Sequence, residues 1–118
     1  MNISIKLCEH IRERIIPQYV NFDKAHRIDH VEKVIEESMK LALHYEVNSA
    51  MVYTIAAYHD LGLCEGREFH HIVSGKILFA DETLWQWFTD DQMLQMKEAI
   101  EDHRASNKQA PRSIYEIG

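Results

Sequence analysis

Apolar residues at helical spacing run through this chain in one stretch after another and leave little room for any other architecture. Ile3, Leu7, Ile11 and Ile15 recur every four residues and mark one face of a first helix, which Pro17 is expected to end or kink. Val31, Val34, Ile35, Leu41, Ala42 and Tyr45 keep the helical period over about 25–45. A connection precedes them, with Asp23 as the candidate N-cap. Beyond a break and cap at Asn48-Ser49, Val52, Ile55, Ala56 and His59 stand at i, i+3, i+4 and i+7, so His59 falls on the core-facing stripe. A fourth helix is expected over about 69–80, carrying Ile72, Val73, Ile77 and Leu78. A fifth, capped by Thr89 or Asp90, carries Met93, Met96, Ile100 and His103. Four glycines and two prolines in 118 residues favour long elements over a multi-stranded sandwich. The expectation is an all-α bundle of about five helices, forming one domain over residues 1–118.

Charge and cysteine usage narrow the function classes. A formal net charge of -6 argues against a binder of nucleic-acid polymers, which normally shows a basic face. A phosphate substrate is still compatible, because a bound metal supplies positive charge locally. Cys8 and Cys64 are too few for a disulfide framework and read as reduced thiols in the cytoplasm. The opening stretch MNISIKLCEHIRERII has charges spaced through it, which suits neither a signal peptide nor a membrane span. A cytoplasmic protein is expected.

Eight histidines are more than composition requires, at positions 10, 26, 30, 44, 59, 70, 71 and 103. His59 and Asp60 stand side by side in AAYHDLGL, after an apolar helix and before Gly62. An anion is disfavoured at a helix C-terminus and buried charge is costly, so a metal ion would resolve both problems. His30 lies one turn before Val34, near the apolar face of the second helix. Two imidazoles and a carboxylate suit Mn²⁺, Fe²⁺, Co²⁺, Ni²⁺ or Zn²⁺. The plain alternative is a hydrogen-bonded core histidine beside a surface aspartate, and no short signature such as H-E-x-x-H decides between them. His10 and His44 read as surface residues. His70 and His71 are ordinary polar residues at a helix start or support for the site. His103 competes between core packing and ligation. Arg27, Arg67, Arg104, Lys108 and Arg112 have a solvated surface role as their default, and the arginines also match phosphate geometry. Arg104, directly after His103, and then Arg112 are the best placed. Trp85 and Trp87 read as packing, and Met93 and Met96 as core filler.

AHRIDHVEKV, AAYHDLGL, FHHIVSGKIL and AIEDHRAS occur in that order, and together they resemble the motif series of the HD superfamily of metal-dependent phosphohydrolases. The likeness runs from about Asp23 to Ile114. It implies that His30, in an H-x-x-x-V pattern, is the first metal ligand and that His59 and Asp60 are the central pair. Two-metal members add histidines at positions matching His70, more than His71, and His103. His26 matches a position near the substrate. The implied reaction is hydrolysis of a nucleotide or other small phosphate ester by a metal-activated water. Asp60 then both ligates the metal and orients the water, Arg104 stabilises phosphoryl charge, and Arg112 binds substrate. The family completes its site with an aspartate on a later helix, whereas here no aspartate follows Asp102. The expectation is that this C-terminal helix is missing or truncated, with Asp102, Glu116, a water or a partner subunit available to stand in. Three other readings stay open: an HD module that binds a metal or nucleotide without turnover, a di-iron oxygenase, and an interaction bundle without metal. A small phosphorylated substrate is the expected partner, with no nucleic-acid polymer and no membrane; a homo-oligomer is left open.

Overall fold

The computed structural model describes residues 4–21, 28–44, 47–62 and 69–102. Among the described residues all regular structure is helical and no strand occurs. No helix among them is long and apolar enough to cross a membrane. The chain divides into two compact units, Met1–Ala57 and Tyr58–Gly118.

In the first unit, α1 spans Ile5–His10, and the Ser4 hydroxyl accepts from the Leu7 N–H at 3.5 Å to start it. The helical path then widens into a π turn over Ile11–Ile15 and tightens into a 3₁₀ segment over Ile16–Asn21. Pro17 sits second in that segment, where its missing N–H leaves no intrahelical bond unmade. The proline therefore coincides with a change of helix type, and the helical path continues past it. Leu7, Ile11, Ile15 and Tyr19 are all buried, as the every-fourth spacing predicts for the first three. The Tyr19 hydroxyl donates to the Ala57 carbonyl at 2.6 Å.

Helix α2 spans Ile28–Ala42 and buries Val31 and Ala42. Leu41 belongs to the expected apolar stripe but is 39% exposed. Adjacent helical residues point about 100° apart, so Ala42 facing inward turns Leu41 away. Helix α3 spans Ser49–Tyr58. Asn48 caps it, its Oδ1 accepting from the Ala50 and Met51 N–H groups at 2.9 and 3.3 Å. Met51, Tyr53, Thr54, Ala56, Ala57 and Tyr58 are buried, so α3 is enclosed on most of its circumference. Thr54 tolerates this by donating to the Ala50 carbonyl at 2.8 Å.

In the second unit, α4 spans His70–Ala80, a 3₁₀ turn spans Glu82–Gln86 and α5 spans Asp90–Glu101. Thr89 and Gln92 form a capping box: the Thr89 hydroxyl accepts from Gln92 N–H at 3.2 Å, and Gln92 Oε1 accepts from Thr89 N–H at 2.9 Å. Met93, Met96, Ala99 and Ile100 are buried on α5. Side chains of this size each contribute about 1.5–3 kcal/mol by leaving water. Trp85 packs edge-on against Phe79 at 5.2 Å and donates its indole N–H to the Phe79 carbonyl at 3.1 Å, which is a packing role.

The buried face of α4 differs from the expected one. Ser74, Gly75 and Leu78 are buried, whereas Ile72 is 37% exposed. Close approach of α5 explains this. A Cβ on Gly75 would lie 3.0 Å from Glu101 Cγ and 3.3 Å from the Lys97 carbonyl oxygen, so α4 turns its smallest residue to its neighbour.

Candidate metal centre

Helix α3 ends at Tyr58, and His59 and Asp60 form the turn that follows. The last carbonyls of a helix have no intrahelical donor. Tyr19 supplies one for Ala57. Tyr58, fully buried, donates its own hydroxyl to Asp81 Oδ2 at 2.5 Å. The other oxygen of Asp81 accepts from the Thr83 N–H at 3.1 Å, so this carboxylate is fixed from both sides.

Past Asp60 the chain runs over the start of α4. The Gly62 N–H donates to the Ser74 hydroxyl at 2.7 Å in a buried setting. A Cβ on Gly62 would stand 2.1 Å from the His70 carbonyl oxygen and 2.7 Å from the Ser74 nitrogen. Both atoms are backbone, so neither can swing aside. Only a residue without a side chain lets the turn lie this close to α4.

That contact brings three polar side chains together. Asp60 Oδ2 lies 3.1 Å from His59 Nε2, and its Oδ1 lies 3.6 Å from His70 Nε2. Asp60 is 5% exposed and His59 8%, a burial that a carboxylate tolerates only when compensated. His70 also stacks on His71, with ring centroids 3.8 Å apart and planes tilted by 41°.

The donor set can be tested against a metal ion by its own spacing. With metal–nitrogen and metal–oxygen bonds of about 2.0–2.2 Å, neighbouring ligand atoms sit roughly 3.0–3.5 Å apart. The His59–Asp60 separation of 3.1 Å falls in that range. Imidazole nitrogen with carboxylate oxygen also suits a divalent transition ion. These residues fit a metal.

The other expected site residues are distributed as follows. His30 lies in the first turn of α2, half-buried, in the first unit. His26, His103, Arg104, Arg112 and Glu116 lie outside the described residues. Asp102 is the C-cap of α5, half-buried, with its N–H directed to the Glu98 and Ile100 carbonyls. His44 is exposed and His10 half-buried. Gly62, Ser74, Tyr58 and Asp81 escaped the sequence reading. The glycine two places after Asp60 and the serine four places after His70 were the available signals, but nothing local joins them.

A family model described as HD domain matches residues 27–117. The chain belongs to the HD domain family, whose members are in general metal-dependent phosphohydrolases and bind divalent metals. Comparison with curated proteins gives no match, and neither does comparison with solved structures.

Proposed function

We propose that this protein is a metal-dependent phosphohydrolase acting on a nucleotide or another small phosphate ester, with His30, His59 and Asp60 as ligands of the ion. The observation that carries the reading is the buried Asp60 carboxylate with one imidazole at each oxygen, on the turn directly after α3. Family membership supports the reaction class. His30, His59 and Asp60 also make up the donor types, two nitrogens and an oxygen, that such an ion takes.

When bound, the ion would supply a water of lowered pKa and polarise a phosphoryl oxygen. The chain's own residues do the rest. His59 and Asp60 are buried, so little solvent competes for their lone pairs. Asp60 has a second oxygen free of the His59 contact, and that oxygen aligns the attacking water and takes its proton. His70 faces this oxygen and stabilises the carboxylate's negative charge. In this reading His70 and His103 serve a second ion or support the first. His26 and Arg112 hold the substrate. Arg104 offsets the charge spread over the phosphoryl oxygens, which paired guanidinium donors match.

A second reading is a module that holds a metal or nucleotide without turnover. It is favoured by one feature: both Asp60 oxygens already face imidazoles, which leaves the carboxylate a poorer base.

Elemental analysis of the purified chain beside a His59→Ala, Asp60→Ala double variant tests both readings. Near-stoichiometric transition metal in the parent and none in the variant is expected. Phosphate release from a panel of nucleotides and small esters then separates hydrolase from binding module. A parent that takes up no metal after loading with Mn²⁺ would sink both.

A further inference from the structure

We infer that Ser74 is a positioning residue for the metal centre, acting through the backbone of Gly62; the inference rests on the metal-binding reading above. Ser74 is fully buried on α4, one turn beyond His70, and its hydroxyl oxygen accepts from the Gly62 N–H at 2.7 Å. Gly62 follows Asp60 by two residues, so this bond ties down the strand of backbone that carries the carboxylate. The same helix presents His70 to Asp60 Oδ1 at 3.6 Å. One short helical stretch therefore anchors the turn with one residue and faces its carboxylate with another.

The geometry leaves few alternatives for holding Asp60. Gly62 has no side chain, and its Cα lies against the His70 carbonyl and the Ser74 nitrogen. Steric contact limits how near the turn comes, and the Ser74 hydroxyl stops it from moving away. Without that acceptor a buried N–H is left unsatisfied, and the cheapest repair is to lift the turn toward water. Lifting it carries Asp60 away from His70 and spreads the donor set. Groups that orient a ligand typically change metal affinity by about 10–100-fold when removed.

The test uses the full chain, Mn²⁺ alone as the probe, and three variants: Ser74→Ala, Ser74→Thr and, as a control for lost packing, Ile100→Val in the core of α5. Two quantities are read: Mn²⁺ affinity, and the ring-nitrogen resonances of His59 and His70 in the metal-free protein. Ser74→Ala is expected to bind Mn²⁺ about tenfold or more weakly and to shift both sets of resonances. Ile100→Val should match the parent in both, and Ser74→Thr, which retains the hydroxyl, should return toward it. Should Ser74→Ala not fold, Ser74→Cys keeps the volume with a weaker acceptor, and a smaller loss in the same direction is expected. Parent-like affinity or unmoved histidine resonances in the Ser74 variants would overturn the inference while the metal reading stands. A parent that binds no Mn²⁺ would overturn the metal reading itself, and this inference with it.

Discussion

The Tyr58 hydroxyl meets Asp81 Oδ2 at 2.5 Å, joining the residue just before His59 to the residue just after α4. A hydrogen bond this short to a carboxylate belongs to the stronger class. Tyr58→Phe is therefore expected to lower unfolding free energy by about 1.5–3 kcal/mol. Denaturant titration with an unchanged slope checks it. A loss within error of zero would mean that Asp81 is satisfied by Thr83 and water alone.

The two described glycines of the second unit should respond in opposite ways. At Gly62 the obstruction is backbone at 2.1 Å, whereas at Gly75 the nearest atom is Glu101 Cγ, in a flexible side chain, at 3.0 Å. Gly62→Ala is expected to destabilise strongly, by more than about 3 kcal/mol, or to prevent folding. Gly75→Ala gains up to about 1 kcal/mol of helix propensity, against which a small adjustment of Glu101 and α5 must be set. A near-neutral melting temperature for Gly75→Ala beside a large drop for Gly62→Ala is the expected pair of results.

Thr89 is an N-cap whose contribution can be isolated on the surface of α5. Thr89→Ala should cost about 1 kcal/mol and Thr89→Gly only a few tenths. Thermal unfolding of the two variants side by side distinguishes loss of the cap from loss of side-chain volume.

Metal removal should be visible in stability. An ion that binds only the folded chain adds about 2.7 kcal/mol at one hundred times its dissociation constant. The melting temperature is expected to rise with added Mn²⁺ and to fall on treatment with a chelator. The His59→Ala, Asp60→Ala variant should be indifferent to both. Equal responses in parent and variant would place the ion elsewhere.

What could be read beforehand divides by the range of the interaction. The caps at Asn48 and Thr89 were legible because a capping side chain bonds within three residues of itself. The Met93, Met96 and Ile100 stripe was legible because burial there follows size and period. The face of α4 was not, since Ser74 and Gly75 are small and the deciding partner, α5, lies more than twenty residues on. The His-Asp pair stood out through its position at the end of an apolar helix, and the motif series named its class. The anchoring of that pair by Gly62 and Ser74 joins residues twelve apart through a backbone N–H, a group every non-proline residue has. Composition and pattern carry no trace of such a bond. The placement of Tyr19 on Ala57, thirty-eight residues away, was hidden for the same reason.

The π turn at Ile11–Ile15 acts as a length gauge for the first unit. Four residues on an ordinary α-helix turn through about 400°, so an every-fourth stripe creeps sideways by some 40° at each step. A wider turn runs the other way and returns Ile15 to the line of Leu7 and Ile11, all three buried. Deleting one exposed residue there, such as Glu13, would let the segment relax to α-helix while rotating everything after it by about 100°. Tyr19 would then swing off the Ala57 carbonyl, and a single lost surface residue would be felt at the far end of α3.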